Sequence, residues 1–431
     1  VIRLVLVGGG HAHLHVVERI ADSRARGDGR WDGVEVVLVS AYPVHHYSGM
    51  LPGYLQGRYR EEELRFDLQA LARAAGIRFR EGWVDRVEVF GGGGRAAGVG
   101  PHATSASGTQ PAGQVHLDGE SIPFHLASLD VGSVAGGTAV PGVREHTIAL
   151  RPTSRAVELA RRLEGLQRRP GPVEAVVVGA GAAGFEVVLA VAERLSRAGS
   201  SRESSQGRVT LVEAGPEILP EFSERVRRRG LAELGRWGVE VQTSTRVSRV
   251  EEDGVRVEGP HGESRLPSHL TVWVAGAAPS PLLAASDLPL ARSGFFQVNG
   301  ALQAADDTPV WGAGDCIELA GFPWMPRAGV YAVRQAPVLA DNLEMAVEVL
   351  RSGGGSERPP RTYTPQTSFL SLLNTGGGRA LLRWKGVVAL GRWPWWLKDW
   401  IDRRFMTRYH GLEKLGMEVG PDPAGAGERG E

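Results

Sequence analysis

The chain has 431 residues, 42% of them hydrophobic, enough for two α/β domains and an appendage at roughly 100–200 residues per domain. Its 49 basic and 49 acidic residues cancel, which excludes the global positive field of a nucleic-acid binder. A lone cysteine, Cys316, excludes an internal disulfide, a CxxC redox pair and a thiolate metal cage.

The first predicted element is a buried strand over residues 3–7, met without a basic and apolar leader, so cytoplasmic placement is expected. It runs into Gly8-Gly9-Gly10-His11-Ala12-His13, a helix over 13–25 and a second strand over 34–39 that ends at Ser40. Strand, glycine turn, helix and strand together place a pyrophosphate on free N–H groups at a helix N-terminus. Two positions depart from the dinucleotide fingerprint. His13 replaces the third glycine and is expected to push the helix off the strand; Ser40 replaces the ribose-gripping acid and offers one weak hydrogen bond. His11, His13 and His15 are not read as a metal site, because successive residues at a helix start point in different directions. His45 and His46 read equally as proton donors or as solvated loop residues. A helix over 61–75 follows, and 90–114, rich in Gly, Ala, Ser and Thr, reads as a long mobile turn between two edge strands.

After a helix over 154–167 the pattern recurs, about 170 residues on. A strand over 173–178 meets Gly179-Ala-Gly181-Ala-Ala-Gly184, then a helix over 185–198 that carries Glu186, then a strand over 209–212 that ends at Glu213. Here each glycine has its mechanical place: a tight turn at Gly179, close backbone approach to pyrophosphate at Gly181, helix-on-strand packing at Gly184. Glu213 can accept both ribose hydroxyls and repels a 2'-phosphate, so NAD(H) is expected over NADP(H). A helix over 225–237 and a strand over 270–274 complete the second unit. The fold class expected is α/β, with two Rossmann-like three-layer domains, the second inserted in the first, plus a C-terminal extension. The expected boundaries are 1–150 and 273–350 for the first domain, 151–272 for the inserted one and 361–418 for the extension. Residues 352–360 read as a linker and 419–431 as a tail.

A third motif, Thr308-Pro-Val-Trp311-Gly-Ala-Gly314-Asp315, joins the two glycine turns, and with it the chain resembles the two-dinucleotide-binding-domain flavoproteins. It is most similar to type II NADH dehydrogenase-like proteins found fused to selenide, water dikinase. That narrower resemblance rests on Tyr47-Ser48-Gly49-Met50-Leu51-Pro52-Gly53, on Tyr331-Ala-Val-Arg-Gln335-Ala-Pro337, and on the segments beginning at Gly391 and Lys398. It implies that the first turn takes the ADP half of FAD, that Asp315 binds its ribityl and pyrophosphate, and that the second turn takes NADH. It places Ser48, Gly49, Met50, Leu51 and Pro52 near the isoalloxazine, and Gln335 toward the acceptor. Segments 129–133 and 272–276, with Gly132 and Gly276, carry the chain between domains. Tyr47, His46 and Gln335 are the catalytic candidates. Cofactor contacts are expected from Gly8, Gly10, His11, Ala12, His13 and Ser40, and from Gly179, Gly181, Gly184, Glu186, Glu213, Gly314 and Asp315.

Residues 393–410 form an amphipathic helix with Trp393, Trp396, Leu397, Trp400, Ile401, Phe405 and Tyr409 on one side. Lys398, Arg403, Arg404 and Arg408 are expected on the other, which suits an interfacial helix on the inner face of the cell membrane, a helix packed on its own core, or a homodimer contact. The expected activity is hydride transfer from NADH to flavin and two-electron reduction of a quinone. The alternatives are a sulfur or selenium acceptor, or a nucleotide-binding scaffold without catalysis.

Overall fold

The computed structural model describes residues 1–90, 110–197, 207–354 and 358–418. Most of the expected long turn, part of the linker and the tail lie outside these. The apolar β-branched runs build two five-stranded parallel sheets. The first has the order Val310–Gly312, Leu126–Leu129, Ile2–Val7, Val34–Ser40, Arg78–Glu81. The second has the order Thr147–Ala149, Leu270–Trp273, Glu174–Val178, Arg208–Val212, Val239–Gln242. Residues 4–7 and 175–178 of the middle strands are buried, as strands covered on both faces must be. Each parallel sheet has an antiparallel three-stranded companion: Val84–Val89, Gly113–Leu117 and Glu120–Phe124 in the first unit, and Arg246–Glu251, Gly254–Gly259 and Gly262–Pro267 in the second.

The chain leaves the first sheet after Leu126–Leu129, builds the second, and returns to add Val310–Gly312. The two crossings touch, since Val134–Ala135 pairs antiparallel with Ala277–Ala278. Equivalent hydrogen bonds superpose the two units. Gly8 N donates to Val39 O as Gly179 N does to Val212 O, and Asp130 N to Val7 O as Val274 N does to Val178 O. Gly8 thus matches Gly179, His13 matches Gly184, Ser40 matches Glu213 and Asp130 matches Val274.

Both nucleotide-type helices start earlier than periodicity suggests, at His11 and Ala182, directly after an extended Gly10 or Gly181 at the N-cap. The helix expected over 61–75 is three pieces: a 3-10 turn Glu61–Glu63, a strand Arg65–Asp67 and a helix Leu68–Ala74. Asp67 breaks it, because its carboxylate caps Ala70 N at 2.8 Å.

Beyond the long helix Gly329–Ser352, three antiparallel strands, Ser371–Gly376, Arg379–Trp384 and Val387–Gly391, precede the terminal helix Arg392–Glu418. That helix crosses Leu68–Ala74 so closely at Gly416 that a Cβ there would lie 1.9 Å from Ala70 O. The expected facing of the terminal helix is corrected. Phe405 and Tyr409 turn inward with Lys398, while Trp393, Trp396 and Trp400 stay 53–57% exposed. Lys398 lies largely out of solvent because Asp402, one turn on, accepts its hydrogen bond.

Candidate active site

The second glycine turn has the form the fingerprint demands. A Cβ on Gly184 would sit 1.8 Å from Gly179 O, so only glycine lets this helix lie on its strand, whereas Gly181 faces open space. Glu213 is fixed by Ala180 N and Gly215 N, each 2.7 Å from one carboxylate oxygen. This leaves one lone pair or more on each oxygen for a ribose diol.

The first turn solves the same problem differently. His13 is fully buried; its Nδ1 lies 2.6 Å from Gly8 O and its Nε2 2.9 Å from Ser128 Oγ. A carbonyl can only accept, so Nδ1 carries the proton and Nε2 accepts from the serine. Burial pushes His13 down to about 4, which keeps this neutral tautomer. The histidine therefore bonds to the carbonyl that glycine would abut. Among the described residues the Ser40 hydroxyl accepts only a long 3.4 Å bond from Tyr42 N.

Sequence reasoning passed over Asp130. Its Oδ2 accepts from Ala12 N at 2.8 Å and His13 N at 3.2 Å, occupying two donors of the first helical turn. Burial pushes its carboxyl up to about 7, opposed by these two bonds and reinforced by the charge of Asp315. Gly10 and Gly314 flank it so tightly that a Cβ on either would lie 2.3 or 2.4 Å from the carboxyl group.

The third motif forms the opposite wall. Asp315 is ion-paired with Arg151 at 2.7 Å, a second residue without a sequence signal, and Arg151 also bonds Ser133. Gln335 is fully buried, and its Oε1 accepts from Gly314 N at 2.7 Å. Its carboxamide thus holds the turn that presents Asp315. Cys316 packs against Ala313 O and Leu129 O, and burial pushes its thiol up to about 12. No thiolate is available there at neutral pH.

Between the walls lies an aromatic cluster. His11 meets His45 edge-on at 5.4 Å between ring centres, with Tyr47 at 5.6 Å and Phe405 of the terminal helix at 5.9 Å. Burial holds His11 near 4 and His45 near 3, and neither Nε2 has a hydrogen-bond partner. Both Nε2 atoms are buried, so the solvated reading does not describe His45. His46 is turned away, its Nε2 3.2 Å from Glu61. His15 pairs with Glu18, so the three alternating histidines serve three separate environments.

Next to this cluster the segment Ser48–Met50 and the helix Leu51–Leu55 meet the terminal helix. Tyr47 Oη donates to Asp402 at 3.1 Å, and Lys398 donates to Asp402 at 2.8 Å and Gly49 O at 2.5 Å. Glu186, from the second nucleotide-type helix, accepts from Asn374 N at 2.7 Å. Burial pushes its carboxyl up to about 7 despite the nearby Lys398 charge. Asn374 also exchanges two amide bonds with Gln56. The fold thus brings Tyr47, Gly49, Glu186 and Lys398 to one junction of both units.

Two glycine turns at matched positions, one with a ribose-type acid, define a protein built for two dinucleotides in one chain. The chain belongs to the pyridine nucleotide-disulphide oxidoreductase family, whose model matches residues 2–340. It is 24% identical over 410 residues to demethylphylloquinone reductase NdbB of Synechocystis sp., covering 91% of this chain and 93% of that one. It is 21% identical over 423 residues to a type II NADH:quinone oxidoreductase of Staphylococcus aureus, covering 95% and 96%. Its fold matches the structure of NDH2 from Plasmodium falciparum in complex with NADH, with a TM-score of 0.72 at 11% identity over 97% of each chain.

Proposed function

We propose that this protein is an FAD-dependent NADH:quinone oxidoreductase. The observation that carries the reading is the meeting of Tyr47, Gly49, Glu186 and Lys398 where the two nucleotide units join. Full-length relatives named as quinone reductases support it. We assign 1–150 and 273–350 to the flavin domain, 151–272 to the NAD(H) domain and 361–418 to a terminal domain.

The residues of the first unit fit FAD. The buried nitrogens of His11 and His45 await polar partners beside an aromatic wall, and Asp315 stands opposite with Arg151. Gly8, Gly10, His11 and Ala12 would border the diphosphate, His13 would brace the turn, and Ser48 through Pro52 would border the ring system. Bound FAD supplies the capacity to take a hydride from NADH and to deliver two electrons to a quinone.

The chain's own residues do the rest. Glu213 binds the ribose hydroxyls and repels a 2'-phosphate. Glu186 holds a proton across part of the neutral range on a carboxyl beside Lys398. Gln335 positions Asp315 through Gly314 rather than facing an acceptor. Ser40 contributes little to ribose recognition. The exposed Trp393, Trp396 and Trp400, with Arg392 over Trp396 and Arg404 over Trp400, suit a headgroup layer at the inner face of the cell membrane, where a lipid-soluble quinone resides. Among the described residues no helix is long and apolar enough to cross a membrane. A sulfur or selenium acceptor finds no accessible thiol, since Cys316 is buried.

An absorption spectrum before and after anaerobic NADH, and again after a short-chain quinone, tests the reading. Flavin absorbance that NADH bleaches and quinone restores is expected; a flavin that NADH leaves oxidised overturns it.

A further inference from the structure

Of the positions matched between the two glycine turns, Asp130 is where the first unit adds a charge, because its counterpart Val274 is apolar. The carboxylate already uses Ala12 N and His13 N, donors that the second unit leaves free of side chains among the described residues. Gly10 and Gly314 press on it from two sides, so it cannot swing clear without passing backbone. An incoming diphosphate would bring further negative charge to the same helix end, beside a carboxyl that is itself buried. Two anions sharing such a site do not both stay ionised. We propose that Asp130 takes up a proton when the diphosphate of FAD settles at the Gly8–Gly10 turn, so that flavin binding is proton-linked and weakens toward alkaline pH. The inference rests on the flavin reading above.

The surroundings single out this group. On its helix side stand His11 and His13, held near 4 by burial, and on the third-motif side Cys316, held near 12 by burial. None of these changes charge between about pH 6 and 9. Asp315, the remaining anion, is ion-paired with Arg151, and Ser128 is taken by His13. The carboxyl of Asp130 itself stands near 7 before any ligand arrives. A ligand anion raises it further, so between the two values the complex carries one proton more than the free protein. Over that interval the dissociation constant rises about tenfold per pH unit.

The test titrates full-length apoprotein with FAD from about pH 6.5 to 9 by flavin fluorescence, with calorimetry in two buffers of different ionisation enthalpy to count protons. The expected result is a Kd that climbs about tenfold per unit above neutrality, with close to one proton taken up per FAD near pH 8. Asp130→Asn, and Asp130→Val after the second unit, are expected to flatten the slope and to bind FAD at alkaline pH at least as tightly as the unmodified chain. Should neither variant fold, proton counting on the unmodified chain decides. Tight binding with a flat Kd and no proton uptake overturns the inference and leaves the flavin reading standing. Failure to bind FAD at any pH overturns both.

Discussion

Lys398 reaches out of the terminal helix to the carbonyl oxygen of Gly49, 2.5 Å away, while Asp402 neutralises it at 2.8 Å. A lysine 349 positions downstream therefore holds the segment that follows Tyr47 in place. Desolvation alone would lower its pKa, yet Asp402 and Glu186 raise it, so the ammonium stays charged inside the protein.

Lys398→Met should cost about 3–5 kcal/mol, because it strands Asp402 as a buried charge. Adding Asp402→Leu should recover much of that loss. Urea unfolding of the single and double variants measures both, and a single variant that unfolds at the original midpoint would remove Lys398 from the stability of the fold.

Glu213→Ala should erode the preference for NADH. Its carboxylate is held by Ala180 N and Gly215 N in a position to receive ribose. The ratio of kcat/KM for NADPH to that for NADH is expected to rise by on the order of tenfold or more. Equal use of both nicotinamides by the unmodified protein contradicts the role given to this acid.

Acid should loosen the fold through His11, His13 and His45, whose folded values lie near 4, 4 and 3. The unfolded chain binds protons on them from about pH 6.5 downward while the folded chain does not. Stability is therefore complete above that pH and is lost as pH falls toward the folded values. His13→Ala should flatten part of this slope, yet also cost about 1–3 kcal/mol by leaving Ser128 and Gly8 O unpaired. Thermal unfolding between about pH 4 and 7 reads both effects.

Trp396→Glu with Trp400→Glu should release the protein from anionic liposomes, weakening association by about tenfold or more. Both side chains are exposed and lie outside the buried network, so the flavin spectrum should not change. Unchanged sedimentation with liposomes, together with a smaller particle in solution, would assign the tryptophans to a contact between copies instead.

The parts of the fold that were legible in the sequence are those written locally. The Gly179–Gly184 turn, its flanking strands and Glu213 lie within forty-odd residues, and spacing alone orders them. His13 and Ser40 stood out as departures for the same reason. What compensates for His13 did not, because Ser128 sits 115 residues away on a neighbouring strand. Asp130 lay in a segment legible only as a connection, and its counterpart Val274 became apparent once the backbone bonds of both units could be matched. Lys398 was misplaced because helical periodicity sorts residues by polarity, whereas this lysine is held largely out of solvent by a charge partner one turn away. The helix expected over 61–75 failed where Asp67 offered a cap that competes with continuation.

The pairing of Val134–Ala135 with Ala277–Ala278 fastens the outgoing and returning crossings to each other. Gly136 N to Gly276 O, at 3.0 Å, extends that seam. A second fastening lies elsewhere, where Glu186 of the second unit accepts from Asn374 N and Arg58 of the first unit pairs with Glu193 of the second. The second unit thus rests on the remainder of the chain like a beam on two bearings, which fixes the side that the Gly179–Gly184 turn presents to its neighbour.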